Sequence, residues 1–226
     1  MHKCEKSNDT YIAGTTFEST LNTTLFSILP AKALQATFGN FTNGTGIDQV
    51  NALFYCRGNV DTSVCHDCVQ AAADKIAKQC RFLKEAIVWF EECTLRYANR
   101  SILSVDEEDP VYIYTNTTGI INDDLLNPFA DEFDSAMAEL IHQAANSRNL
   151  QGFATAQLNI SSTEDLHFAV QCSPDISGVA CQRCLNSGLK QRDKWADTMI
   201  FMPSCFIRVD LYNSTAFSIP TGAHNS

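Results

Sequence analysis

One cysteine pattern occurs twice in this chain, and it decides how the rest can fold. Residues 56–68 read Cys-Arg-Gly-Asn-Val-Asp-Thr-Ser-Val-Cys-His-Asp-Cys, and residues 172–184 read Cys-Ser-Pro-Asp-Ile-Ser-Gly-Val-Ala-Cys-Gln-Arg-Cys. Both are C-x8-C-x2-C, 116 positions apart, and the same offset carries Phe17, Leu21 and Leu25 onto Phe133, Met137 and Ile141. Two separate features in one register are the signature of a tandem duplication. The 226 residues therefore divide into two domains, 1–108 and 109–226.

Composition narrows the setting. Hydrophobic residues make up 45% of the chain and charged ones 19%, enough apolar surface for two cores and too few charges for disorder. The formal charge of −10 argues against nucleic acid or an anionic membrane surface as partner, since phosphate binding needs Lys and Arg clusters. Ten cysteines, an even number, indicate an oxidising compartment. Eight N-x-S/T sequons agree: Asn8, Asn22, Asn40, Asn43, Asn99, Asn116, Asn159 and Asn213. The chain reads as an extracellular glycoprotein. No apolar run approaches the roughly 20 residues of a membrane-spanning helix, and Met1-His2-Lys3-Cys4 does not begin an apolar leader. Membrane attachment is expected only through a segment outside these residues, and a secretory leader is expected to have been removed or to lie outside these residues as well.

Along the chain, residues 4–14 read as an extended segment. Thr15 with Glu18 matches a capping box, and Phe17, Leu21, Leu25 and Leu29 then recur every four residues in a helix expected to stop at Pro30. Residues 38–46, polar and carrying two sequons, read as an exposed loop. Residues 50–56 suit a buried strand, and residues 64–79 a second helix with Val69, Ala72, Ile76 and Ala77 inward. Residues 86–90 and 94–97 read as strands. Repeat 2 follows the same plan, with helices over 130–145 and from 181, and strands at 168–172, 199–202 and 205–209. Residues 105–110 form a short acidic linker. Two helices and a set of strands per repeat make an α+β fold, the helices on one face of an antiparallel sheet.

Comparing the repeats sorts some of the cysteines. Repeat 1 has Cys4, Cys56, Cys65, Cys68, Cys80 and Cys93; repeat 2 has Cys172, Cys181, Cys184 and Cys205. The positions equivalent to Cys4 and Cys80 are Ile120 and Ala196, and a pair lost together is a bonded pair, Cys4–Cys80. A bond between Cys65 and Cys68, within one helical turn, has poor geometry. Cys56 is left to pair with Cys65 or Cys68, and Cys172 with Cys181 or Cys184. Neither copy carries a second C-x2-C or the paired histidines of a zinc site, and a redox dithiol would not have a third cysteine eight residues upstream. No metal or cofactor is expected.

Nothing in the sequence supports catalysis. The histidines His2, His66, His142, His167 and His224 are scattered and non-equivalent between repeats, and no nucleophile elbow, zinc motif or phosphate-cradling loop occurs. The run from Asp106 to Asp109 reads as a solvated linker rather than a cation site. Arg96 and Arg208, each three residues after a repeat's last cysteine, do match, and are the candidates for ligand contact or for bracing the sheet.

Residues 89–101, Trp-Phe-Glu-Glu-Cys-Thr-Leu-Arg-Tyr-Ala-Asn-Arg-Ser, and residues 203–208, Pro-Ser-Cys-Phe-Ile-Arg, follow the two cysteine modules. Together these resemble the paired DUF26, or Gnk2-homologous, domains of land plants, and most closely the ectodomains of cysteine-rich receptor-like kinases. The resemblance implies a five-stranded antiparallel sheet with two helices per module. It also implies the pairings Cys56–Cys65, Cys68–Cys93, Cys172–Cys181 and Cys184–Cys205. A membrane anchor and a cytosolic Ser/Thr kinase are expected to follow this segment, which is itself non-catalytic.

Single-module members of the family that bind mannose use an Asn after the first cysteine, an Arg six residues before the last and a Glu five after it. Here repeat 1 offers Glu5, Ile87 and Ala98, and repeat 2 offers Met199 and Asp210, so mannose binding is not expected. The expected role is recognition of an apoplastic ligand or co-receptor protein at the outer face of the plasma membrane, in defence or stress signalling. The alternatives are a secreted carbohydrate-binding or antifungal defence protein and a plasmodesmata-located member. A sensor working through labile thiols would need accessible cysteines.

Overall fold

The computed structural model describes residues 1–4, 9–115, 127–146, 152–162, 164–191 and 197–213. These form two five-stranded sheets in which every neighbouring pair of strands is antiparallel. In the first, β1 (His2–Cys4), β2 (Phe38–Asn43), β3 (Val50–Cys56), β4 (Ala86–Trp89) and β5 (Cys93–Ala98) lie in the order β1-β4-β5-β3-β2. In the second, β6 (Tyr112–Thr115), β7 (Phe153–Asn159), β8 (Glu164–Cys172), β9 (Thr198–Phe201) and β10 (Cys205–Asn213) repeat that order as β6-β9-β10-β8-β7.

Each sheet carries two helices on one face. In module 1 these are α1, built from Thr16–Thr23, a π-helical turn Thr24–Ile28 and Leu29–Ala33, and α2 (Thr62–Gln79). In module 2 they are α3 (Ala130–Asn146) and α4 (Gly178–Lys190). Four-residue spacing would rotate an apolar stripe off one face of a 3.6-residue helix. The π turn, closed by the Leu29 N–H donating to the Thr24 carbonyl, resets the phase and keeps Phe17, Leu21, Leu25 and Leu29 all buried. Each such side chain contributes about 1.5–3 kcal/mol by leaving water. The expected stop at Pro30 is therefore wrong. Pro30 opens the last helical segment, where a missing N–H is tolerated. The expected capping box does not form: Thr15 is the N-cap, but its Oγ1 donates to Ile12 O at 2.7 Å, and Glu18 accepts from the Gly14 N–H at 2.7 Å rather than from that of Thr15. The second helices are capped as a pair, Asp61 Oδ1 accepting from Val64 N at 2.9 Å and Ser177 Oγ from Ala180 N at 3.2 Å.

Cys56 stands opposite Cys93 across β3 and β5, and Cys172 opposite Cys205 across β8 and β10. On α2, Cys65 and Cys68 lie three apart on one face, as do Cys181 and Cys184 on α4, so two adjacent strand sulfurs meet two adjacent helix sulfurs. The bonds are Cys56–Cys65, Cys68–Cys93, Cys172–Cys181 and Cys184–Cys205, with Cys4–Cys80 tying the edge strand to the end of α2. On α2 the inward set includes Ala73, while Ala77 is only half-buried.

Strands β3, β4 and β5 are buried on both faces, which is why they read as unbroken apolar runs. Val50, Ala52 and Phe54 meet the helices; Leu53 and Tyr55 face the other way, under Ile102 and Leu103 of the segment leaving β5. Residues 38–43, expected as loop, are the edge strand β2. Its exposed, polar, sequon-bearing face suits an edge that must not recruit a further strand.

Candidate functional site

The helix-free faces of the two sheets meet. Strand alternation puts Ala86 and Val88 toward the helices and Ile87 and Trp89 toward the second module, where they pack on Phe201 and Phe206. Trp89 is 1% exposed, and its indole Nε1 donates to Met202 O at 3.3 Å. Beside this apolar patch, the fully buried Gln171 of β8 donates through Nε2 to Cys56 O at 2.9 Å and accepts from Gly58 N at 3.2 Å. Position 58 must be glycine here, since a Cβ would lie 2.4 Å from that of Phe153.

The acidic linker is not a solvated strap. It lies in the seam with the carboxylates of Asp106 and Glu107 engaged. Glu107 accepts from Arg96, 4% exposed on the helix-free face of β5, and from Arg100, which also grips Glu85. Asp106 is held by Arg183 of α4, through Nε at 2.8 Å and through Nη2. Ser204 Oγ accepts from Glu107 N at 2.8 Å, and Asp175 Oδ2 accepts from Ser104 N at 2.6 Å. Burial opposes ionisation of Glu107, yet the Arg100 hydrogen bond and the charges of Arg96 and Arg100 outweigh it and hold the carboxyl below its ordinary range.

Past the apolar patch the two modules diverge and leave an open groove of about 700 Å³. Module 1 contributes Arg57, Asn59 and Glu91. The floor is the helix-free face of β7, β8 and β10, with Thr155, Gln157, His167, Arg208 and Asp210. Arg208 spans the groove, donating to Asp210 through Nε and to Glu91 of the other module at 2.9 Å. Arg57 Nε donates to Asn59 Oδ1 at 2.7 Å. His167 packs against the Tyr212 ring, centroids 5.6 Å apart.

The matched arginines thus do different things: Arg96 anchors the linker, and Arg208 lines the groove. At the mannose positions, Ile87 and Ala98 are buried, Met199 is half-buried and Asp210 is paired; Glu5 lies outside the described residues. Among the sequons, Asn22, Asn40 and Asn159 are exposed and Asn43 is half-buried, while Asn99 Nδ2 donates to Asp9 at 2.7 Å. Asn8, Asn116 and the side chain of Asn213 lie outside the described residues. Among the described residues no three His, Cys, Asp or Glu side chains gather as a metal site, and no helix is long and apolar enough to cross a membrane. Sequence reasoning missed Trp89, Phe201, Gln171 and Arg57; the tryptophan in an already apolar run was the only available signal.

The salt stress response/antifungal domain model matches residues 3–100 and 117–212, one copy per module. Cysteine-rich receptor-like protein kinase 9 of Arabidopsis thaliana is 33% identical over 227 residues, covering 97% of this chain and 84% of the relative. Cysteine-rich receptor-like protein kinase 6 of the same plant is 31% identical over 226 residues, and this chain spans only 33% of its length. The crystal structure of the tandem DUF26 ectodomain of the Arabidopsis thaliana cysteine-rich receptor-like protein PDLP8 superposes with a TM-score of 0.78 at 22% identity, over 95% of this chain and 97% of that one. With both copies accounted for, these residues hold no kinase domain and form a non-catalytic module. The chain belongs to the salt stress response/antifungal family, as a tandem DUF26 ectodomain homologous to those of cysteine-rich receptor-like kinases.

Proposed function

We propose that the chain is the ligand-sensing extracellular part of a plant cysteine-rich receptor-like protein kinase, acting in defence or stress signalling. A single-pass anchor and a cytosolic Ser/Thr kinase would follow it, and its partner would be an apoplastic ligand or co-receptor protein. The observation that carries the reading is the seam. Trp89, Phe201, Phe206 and the linker's bonds to the second module, Asp106 with Arg183 and Glu107 N with Ser204, fix two modules as one body, and a fixed pair presents a composite surface that neither module has alone. Preorganisation of that kind lowers the entropic cost of binding. Kinase 6, of which this chain covers a third, supports the assignment of what lies beyond Ser226.

The full-length coding sequence tests it. The expected result is an apolar span of roughly 20 residues and then the motifs of a protein kinase. A stop codon soon after Ser226 would overturn the receptor and leave a secreted binding protein.

A further inference from the structure

We propose that the groove between the modules binds a uronic-acid oligosaccharide, a hydroxyl-rich ligand carrying carboxylates, with Arg57 taking the carboxylate. The inference rests on the reading of the chain as a recognition ectodomain and specifies what is recognised. Four charged side chains line the groove, and they are not evenly matched. Glu91 and Asp210 are both engaged by Arg208. Arg57, half-buried, has only the Asn59 carbonyl on Nε, and among the described residues no carboxylate pairs with it. In a chain of formal charge −10, this guanidinium stands in a groove, held in place by its own neighbour and, among the described residues, without a carboxylate. Its free Nη edge is a planar two-donor fork suited to a carboxylate.

The other lining groups select what carries that carboxylate. Glu91 and Asp210 offer acceptors only, so a ligand that is anionic throughout, such as phosphate or an Asp/Glu-rich peptide, meets repulsion beside Arg57. A uronate has hydroxyl donors for those carboxylates, and Thr155, Gln157 and His167 supply further polar contacts along the floor. The aromatic residues of the lining, Phe153 and Phe168, are both buried, at 6% and 1% exposed, so the groove lacks the apolar pocket that anchors a peptide side chain. A volume of about 700 Å³ is in the range of small-ligand sites. The sequon at Asn159 lies two residues beyond Gln157 on the same strand face, past the lining residues, where a glycan would bound the ligand's length.

Calorimetric titration of the glycosylated chain with a galacturonic-acid trimer tests this. Saturable binding is expected, weakened about 10- to 100-fold by Arg57→Ala, because a charge-assisted bidentate contact is lost. Arg57→Lys restores only part, lacking the fork. Gln157→Ala, on the other module, costs about 2- to 10-fold. The methyl-esterified trimer binds as weakly to the wild type as the free acid does to Arg57→Ala. Unfolding temperatures of the variants match the wild type. No binding of the trimer, an affinity indifferent to both Arg57→Ala and Gln157→Ala, or equal binding of an acidic tripeptide overturns the assignment. None of these outcomes touches the receptor reading, which is decided by the coding sequence beyond Ser226.

Discussion

Replacing Trp89 with alanine separates what the seam does from what the module cores do. A tryptophan side chain buries roughly 150–250 Å², worth about 4–6 kcal/mol at 25 cal/mol/Å². The alanine keeps a little of that burial, so ~3–5 kcal/mol is lost. A further ~0.5–1.5 kcal/mol goes with the bond from Nε1 to Met202 O. In a chain of this size that lowers the unfolding midpoint by roughly 7–26 °C. The loss falls on the seam because Trp89 points away from the helices, whereas its neighbour Val88 points into them. Scanning calorimetry should give one cooperative transition for the wild type and two for Trp89→Ala, one per module. Val88→Ala should instead destabilise module 1 while leaving the modules coupled. If Trp89→Ala melted as one transition at the wild-type midpoint, the contact with Phe201 and Phe206 would not be what joins the modules, and the argument from strand alternation would fail.

Three further outcomes are expected. Because the folded Glu107 carboxyl titrates below its ordinary range, its stabilisation is complete above the unfolded value, roughly pH 4.3, and is lost as pH falls through the folded one. The midpoint difference between wild type and Glu107→Gln should be constant near neutrality and shrink below about pH 4; a difference flat down to pH 3 would refute it. Removing Cys4–Cys80, which closes a 76-residue separation, should cost about 4 kcal/mol, against about 3 kcal/mol for Cys56–Cys65 at separation 9, read from denaturant midpoints. Gly58→Ala should push Phe153 out of the seam at a cost of about 1–3 kcal/mol. A midpoint within error of the wild type would show that the approach is not tight.

The sequence spoke most clearly where a residue's environment was local. Cys56, Cys65 and Cys68 lie close together in the chain, and the amphipathic stripes of α1 and α3 report their own burial. Strands β3, β4 and β5 were legible because, covered on both faces, they have no polar alternation to confuse. The edges were not: β2 was taken for a loop because edge pairing places polar residues and sequons in an extended strand, and β6 and β7 gave no separate signal. The linker misled for another reason. Four charges in a row resemble a solvated tail, but Asp106 finds Arg183 across 77 positions, a distance at which charge patterns carry no register. Arg57 looked like an ordinary turn residue, and only the meeting of two modules makes it a groove wall.

The seam has a symmetry with consequences for assembly. Trp89 stands four residues before Cys93, and Phe201 four before Cys205, so these rings touch, centroids 6.4 Å apart, from equivalent positions of the two repeats. Ile87 and Met199, each six residues before those cysteines, flank them. Contact between like positions is the mark of a two-fold, isologous association, here built within one chain. Such an arrangement closes on itself. Each module spends its self-complementary patch on the other, so the face through which two such modules could have dimerised is consumed, and a second copy of the chain must be met through some other surface.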